Sequence, residues 1–146
     1  MKQASVLALA FLTVGAVLGA EYVRFTGLPV AADASCRGNA HAMAQLELIF
    51  GTARAEGAPV TDAEWKAFLD GEVTPRFPQG LTVLRGPGQW RSRDGRLVEE
   101  DSRILIIWYE PTEHSDADIE AIRSAYKTRF AQESVMRIDG ASCVSF

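Results

Sequence analysis

The sequence predicts one α+β domain whose elements follow the order β-α-β-β-α-β. Three observations predict it: two helix signatures that each lie between strand-like segments, one strand that is apolar on both faces, and a cysteine near each end of the domain. This element order is the signature of the ferredoxin-like fold, in which two helices cover one face of a four-stranded antiparallel sheet.

The first strand and the first helix have clear local signals. Residues 44–51 alternate polar and apolar side chains, as a half-buried strand does. Thr61 and Glu64 have the spacing of a capping box, which predicts that a helix begins there and runs until Pro75 stops it.

The middle of the chain predicts a hairpin. A short strand at 81–84 is broken by Gly86-Pro87-Gly88, resumes at 89–91 and turns at Asp94-Gly95, a pair that suits positive φ. In 104–109 both alternating sets of side chains are apolar, so we expect this strand to be buried on both faces and central in the sheet. A second helix from Ser115 and a last strand at 134–138 complete the order.

The N-terminal region predicts export. An unbroken run of apolar or small residues, 4–20, follows Lys2, as in a secretory signal. Leu18 is larger than a cleavage site prefers, so an uncleaved membrane anchor is the alternative. We therefore expect a signal peptide or N-terminal anchor at 1–20, a linker at 21–35 and a single domain at 36–146, either periplasmic or secreted, with membrane contact only through the N-terminal segment.

The two cysteines, Cys36 and Cys143, flank almost the whole domain. In an oxidising compartment they predict a disulfide, with two buried free thiols as the alternative, and the absence of a C-x-x-C motif gives redox catalysis no support. The predicted topology lays the first and last strands side by side. A register that pairs Glu47 with Arg137 places the cysteines just outside that ladder.

Composition and charge exclude several classes of protein. With 47% hydrophobic and 23% charged residues the chain is an ordinary globular protein. A net charge of −4 gives no basic face for nucleic acid, so no nucleic-acid partner is expected. The arginines near the hairpin alternate with acidic residues and indicate a solvated surface: Arg85, Arg91, Arg93, Arg96 and Arg103.

Several stretches resemble a bacterial exported family, the domain of unknown function 3574. They are Phe50-Gly51-Thr52-Ala53-Arg54, the segment from Val60 to Pro78, Gly80-Leu81-Thr82-Val83, Gly88-Gln89-Trp90, the segment from Tyr126 to Val135, and Cys143-Val144-Ser145-Phe146. The resemblance covers roughly residues 36–146. It implies a small exported domain and assigns no activity or catalytic residue.

Glu47 is the leading candidate for a functional residue, because it points toward the sheet face that the helices leave uncovered. The third strand adds three large apolar residues there, either Ile104, Ile106 and Trp108 or Leu105, Ile107 and Tyr109. A partner subunit, a ligand or the segment 86–90 should cover such a patch. In a pocket, Glu47 could act as a base; a salt bridge between Glu47 and Arg137 is the alternative that we favour.

Other candidates have weaker patterns. Trp90 lies beside glycines and is a candidate lid or interface anchor, and Arg76 is a candidate anion ligand. His41 and His114 lack partners at metal-ligand spacing, so we expect both at the surface and no metal site. The glycine-containing stretch before Trp90 lacks the features of a phosphate loop, and no cofactor is expected.

These patterns favour an exported module that binds a small molecule or an envelope protein and forms a homodimer through its open sheet face. The alternative is a small enzyme of the dimeric ferredoxin-like barrel type, with Glu47 and either Trp108 or Tyr109 in a pocket on that face. A third hypothesis is an envelope scaffold that acts through Trp90 and the hairpin arginines.

Overall fold

The computed structural model describes residues 36–54, 56–92 and 94–146, so the expected leader and linker lie outside the described residues. The elements are β1 (His41–Gly51), α1 (Asp62–Phe68), β2 (Thr82–Arg91), β3 (Leu97–Tyr109), α2 (Ser115–Phe130) and β4 (Met136–Val144). They confirm the predicted α+β class and element order. Within these residues no helix is both long and apolar enough to cross a membrane.

The four strands form one antiparallel sheet in the order β2-β3-β1-β4. The apolar strand β3 is central in the sheet, as its sequence predicts. Its two faces are not equally buried, however. Leu105 and Ile107 are at most 1% exposed, whereas Ile104 and Ile106 on the other side are only half-buried. The doubly apolar pattern therefore predicts the position of the strand correctly and overstates the burial of one face.

The hydrophobic core lies between the sheet and the two helices. Phe50 is fully buried, and its ring meets those of Trp65, Phe68 and Tyr126 edge-on at centroid distances of 5.1, 5.8 and 4.6 Å. The buried Tyr126 hydroxyl donates a hydrogen bond of 2.9 Å to the carbonyl of Gly51. Edge-to-face contacts of this kind add to the free energy gained by burying the rings, so this cluster fixes both helices on β1.

The first helix begins where its capping box predicts. The Glu64 N–H donates to the Thr61 hydroxyl at 3.3 Å, and the Thr61 N–H donates back to the Glu64 carboxylate at 2.9 Å. After Phe68 the chain continues as a five-residue π-helical turn, Leu69–Val73, and not as one α-helix up to Pro75. Val73 in that turn is fully buried, so the wider turn still contributes to the core.

Strand β2 is continuous, and the predicted interruption at Gly86-Pro87-Gly88 is wrong. These three residues pair in register with Ser102, Asp101 and Glu100 of β3. The segment tolerates Pro87 because β2 is an edge strand, where the missing N–H need not remove a ladder hydrogen bond. Residues 86–90 are therefore part of the sheet and are not a loop that could cover the open face.

The hairpin turn at Asp94-Gly95 is confirmed, with φ of 84° at Gly95. The expectation of a solvated arginine surface holds for Arg96, whose side chain is 81% exposed, but it is wrong for Arg103. The Arg103 side chain is 8% exposed and lies on the helix side, with its Nη2 atom 2.5 Å from Asp62 Oδ1. Its Nε atom has no hydrogen-bond partner among the described residues.

The predicted disulfide is confirmed: Cys36 and Cys143 are bonded, with their Cα atoms 5.5 Å apart. Cys143 lies in β4 opposite Ala42 of β1, and Cys36 precedes β1, just outside the ladder. A disulfide of this kind is typical of proteins in an oxidising compartment.

Candidate functional site

One face of the sheet carries no helix, and we call it the open face. The strand register places the following side chains on it: His41, Met43, Gln45, Glu47 and Ile49 of β1; Thr82, Leu84 and Trp90 of β2; Val98, Glu100, Ser102, Ile104, Ile106 and Trp108 of β3; and Met136, Ile138, Ser142 and Val144 of β4. Of the two sets proposed for β3, the open face therefore carries Ile104, Ile106 and Trp108.

Large apolar side chains on the open face are exposed from one edge of the sheet to the other. Leu84 is 49% exposed on β2, Trp108 is 38% exposed on β3, and Met136 and Ile138 are 58% and 44% exposed on β4. Half-buried isoleucines of β1 and β3 lie between them. Monomeric proteins rarely expose a contiguous apolar patch of this extent unless it binds something.

A short chain of polar groups crosses the middle of the open face. The Gln45 side-chain amide donates to Glu47 Oε1 at 2.9 Å, and the Ser142 hydroxyl donates to Gln45 Oε1 at 2.5 Å. Glu47 lies on the open face, as its position in β1 predicts, and is half-buried. The chain orients the Glu47 carboxylate within its own sheet, and the open-face side chains of the described strands include no arginine or lysine to pair with it.

Arg137 is not the partner of Glu47, and the favoured salt bridge is wrong. Arg137 lies opposite Leu48, one residue away from the predicted register, and a shift of one residue moves a side chain to the other face of a sheet. Arg137 instead bonds three carboxylates on the helix side, those of Asp116, Glu120 and Asp139, at 2.7, 2.9 and 2.9 Å. Partial burial lowers the pKa of Arg137, but these hydrogen bonds outweigh it and raise the pKa.

Three predicted candidates come together at one end of the sheet. Arg76, Trp108 and Tyr109 line a cleft of about 390 Å³. Tyr109 points to the helix side, where its ring packs edge-on against Phe77 at 5.3 Å, and so it does not share the open face with Glu47. Burial and then the charge of Asp139 raise the pKa of Tyr109, so its phenol stays protonated near neutral pH.

Arg76 is engaged within the protein and does not present a free charge to an anion. Its Nη1 atom donates to the carbonyl of Glu72 at 2.5 Å and to the carboxylate of the same residue at 3.1 Å. Its Nε atom lies 3.7 Å from Asp118 Oδ1. The neighbouring carboxylates already neutralise this guanidinium, which argues against the anion-binding hypothesis.

Trp90 lies at the opposite end of the open face, in β2, and is 36% exposed. It lines a pocket of about 280 Å³, which we call the Trp90 pocket, together with side chains or backbone of Ile49, Gly51, Gly88, Gln89, Glu100, Ser102, Gln132, Glu133, Ser134 and Met136. Trp90 therefore forms a wall of this pocket from its position in a strand.

Sequence reasoning missed most of this pocket. Glu100 and Ser102 belong to a polar stretch that has no catalytic spacing, and Gln132 to Ser134 come from the turn between α2 and β4. The available signal was the pair Gly51 and Gly88, because a glycine inside a strand often marks a close approach of another group. The two histidines line neither pocket; His41 opens β1 and His114 precedes α2, and both are exposed as expected.

Comparison with known proteins identifies a family and a fold. The profile of the family described as "Protein of unknown function (DUF3574)" matches residues 45–146. No curated protein matches the chain. A phage SAM lyase in complex with S-methyl-5'-thioadenosine is similar in structure, with a TM-score of 0.54 and 17% sequence identity over 71% of this chain and 90% of that one. A phage SAM lyase in the apo state is also similar in structure, with a TM-score of 0.52 and 15% sequence identity over 72% of this chain and 90% of that one.

Proposed function

This chain belongs to the DUF3574 family of proteins of unknown function, and we propose that it is an exported binding module whose open face pairs with the open face of a second copy. The observation that carries the proposal is the row of exposed Leu84, Trp108, Met136 and Ile138 side chains across the sheet. Export is supported by the apolar N-terminal run and by the disulfide.

The chemistry of the open face favours a second copy as its occupant. Its described strand residues carry carboxylates at Glu47 and Glu100, a histidine at His41 and no arginine or lysine, so a strongly charged partner would find few complementary groups. The exposed apolar side chains on β2, β3 and β4 can pack against the same side chains of a second copy, as a twofold interface requires. At about 4.8 Å between strands and about 3.3 Å per residue, the face measures roughly 20 by 30 Å. That extent is comparable with the roughly 800 Å² that each partner buries in a standard interface.

Light scattering coupled to size exclusion tests the proposal on protein exported with its own leader. We expect the wild type to be a dimer and Ile138→Gln to weaken dimerisation roughly tenfold or more, because an amide would be buried without a partner. Leu97→Gln is the matched control: Leu97 is 59% exposed at the hairpin, and its register places it on the helix side. A wild type that stays monomeric at high concentration, or equal effects of the two variants, would contradict the proposal.

The second candidate is a small enzyme with its active site on the same face. The similarity to a phage SAM lyase bound to S-methyl-5'-thioadenosine favours it at the level of the fold. Glu47, held by Gln45 at 2.9 Å, would be the base, and the Trp108 indole would offer a stacking surface for an aromatic substrate group. Tyr109 has no part in this candidate, because it faces the helices.

A turnover assay separates the two candidates. The protein is incubated with SAM, and release of S-methyl-5'-thioadenosine is followed by mass spectrometry. Product that forms with the wild type and is lost in Glu47→Gln would establish the enzyme, and Glu113→Gln, an exposed carboxylate ahead of α2, is the control that should leave it unchanged. Absence of product leaves the binding module as the function of this face.

A further inference from the structure

We infer that the Trp90 pocket binds a small organic cation with an apolar body, such as an amine, a quaternary ammonium or a sulfonium compound. The pocket lies where the ends of β1, β2 and β3 meet the turn between α2 and β4. The inference goes beyond the proposed dimer, but the pocket shares Trp90 and Met136 with the open face, so it is tested on a monomeric variant as well as on the wild type.

Two glycines of the pocket leave room for polar side chains of β3. Gly51 and Gly88 lie in strands and are not among the positive-φ glycines of the described residues, so their backbone conformation does not require glycine. A Cβ atom on Gly51 would lie 2.5 Å from Glu100 Oε1, and one on Gly88 would lie 2.7 Å from the Ser102 hydroxyl oxygen. The bare backbone therefore makes room for a carboxylate and a hydroxyl on the open face.

The Glu100 carboxylate is held in place by the neighbouring strand. Its Oε2 atom accepts a hydrogen bond of 2.7 Å from the Ala53 N–H, just beyond the end of β1. The Glu100 charge also acts on the core. The pKa of the Tyr126 phenol is raised mainly by burial and, to a smaller extent, by the negative charge of Glu100. A fixed carboxylate that needs no rearrangement is a preorganised partner for a positive group.

The other walls of the pocket select the rest of the ligand. Glu100 is acidic and none of the described lining residues is basic, so the pocket disfavours anions. The Trp90 indole forms one apolar wall, Ile49 and Met136 add apolar groups elsewhere in the lining, and an indole face also attracts cations. At about 280 Å³ the pocket is near the small end of the usual range for ligand sites, so the ligand must be small.

Calorimetric titration with benzyltrimethylammonium tests the inference, with benzoate and benzyl alcohol as the anionic and neutral probes of similar shape. We expect saturable binding of the cation alone. Glu100→Gln should weaken it roughly tenfold, since the amide oxygen can still accept the Ala53 N–H while the charge is lost, and Trp90→Leu should weaken it to a similar degree. Glu99→Gln is the control, because this neighbouring carboxylate faces the other side of the sheet.

Three results would overturn the inference: no saturable binding of the cation, equal binding of benzoate, or an affinity that Glu100→Gln leaves unchanged. The Ile138→Gln variant, which is designed to be monomeric, should bind the cation at least as tightly as the wild type does, because a second copy cannot cover its pocket. Its binding separates failure of the pocket from failure of the proposed dimer.

Discussion

The two faces of this sheet are built from alternate residues of the same strands and have opposite characters. On the helix side, Leu46, Leu48 and Phe50 of β1 are fully buried against α1 and α2. On the open face, the intervening Glu47 and Ile49 are only half-buried. Only the helix side has the dry, closely packed surroundings in which each side chain contributes its full share to folding.

The charges are divided in the same way. The arginines of the described strands lie on the helix side, and three of them, Arg85, Arg103 and Arg137, bond carboxylates there. The open face carries carboxylates, a hydroxyl and exposed apolar groups. The contacts that hold the fold together therefore lie mainly on the helix side of the sheet, and the open face contributes little to them.

The largest expected difference between the faces is in the free energy of unfolding. Phe50→Ala should lower it by about 3–5 kcal/mol, because it removes a fully buried ring and leaves a cavity. Ile138→Ala on the open face should lower it by less than about 1 kcal/mol, because the side chain is 44% exposed. Urea unfolding, run at protein concentrations at which the chain is monomeric, measures both. Equal losses would contradict the division of roles between the faces.

The disulfide is the next largest expected contribution. Register places the Cys143 side chain on the helix side of β4, an edge strand. Replacing both Cys36 and Cys143 by serine should lower the free energy of unfolding by about 2–4 kcal/mol, because the unfolded chain regains the freedom that the crosslink removes. Urea unfolding with and without reductant should give matching values for the reduced wild type and the variant. A variant as stable as the oxidised wild type would show that the crosslink does not restrict the unfolded chain.

The start of α1 should contribute less. Thr61→Ala should lower the free energy of unfolding by about 1 kcal/mol, since the Glu64 N–H loses its acceptor at the helix terminus. Thr74→Ala, an exposed threonine after the π-helical turn, is the matched control and should change stability by less than about 0.5 kcal/mol. Thermal unfolding followed by circular dichroism compares them. A loss in the control as large as that in Thr61→Ala would show that the cap is not the cause.

Much of the helix-covered half could be predicted from the sequence, because its signals are local. The capping box at Thr61, the alternation in β1 and the doubly apolar β3 each depend on neighbours in the chain, and each gave the right element. The exact register between β1 and β4 could not be predicted from the sequence. Two strands far apart in the sequence can slide by one residue with little change in pattern, and this slip moved Arg137 to the other face.

The open face could be predicted only in part, because its groups are brought together by pairing between strands. Glu47 was found because β1 alternates strictly. The Trp90 pocket was not, since Gly86-Pro87-Gly88 is also typical of a loop, and only its position on an edge strand makes it part of the sheet. The position of the Glu100 carboxylate depends on its contacts with Gly51 and Ala53, and these residues lie far from it in the sequence.

The smallest expected effect lies at the exposed rim of the helix side, in the acid dependence of stability. The side-chain hydrogen bond from Arg54, followed by the backbone and side chain of Thr61, lowers the pKa of Glu64 from 4.5 to about 2. A folded-state pKa below the unfolded one means that this stabilisation is fully present above about pH 4.5 and is lost as the pH falls toward 2. Glu64→Gln should therefore be less stable than the wild type at pH 6, and the gap should close between about pH 4.5 and 2, as measured by urea unfolding at each pH. Because Glu64 is at the surface, salt should reduce the gap. A gap that stays constant from pH 6 to pH 2 would mean that the loss comes from the shape of the cap and not from the charge of Glu64.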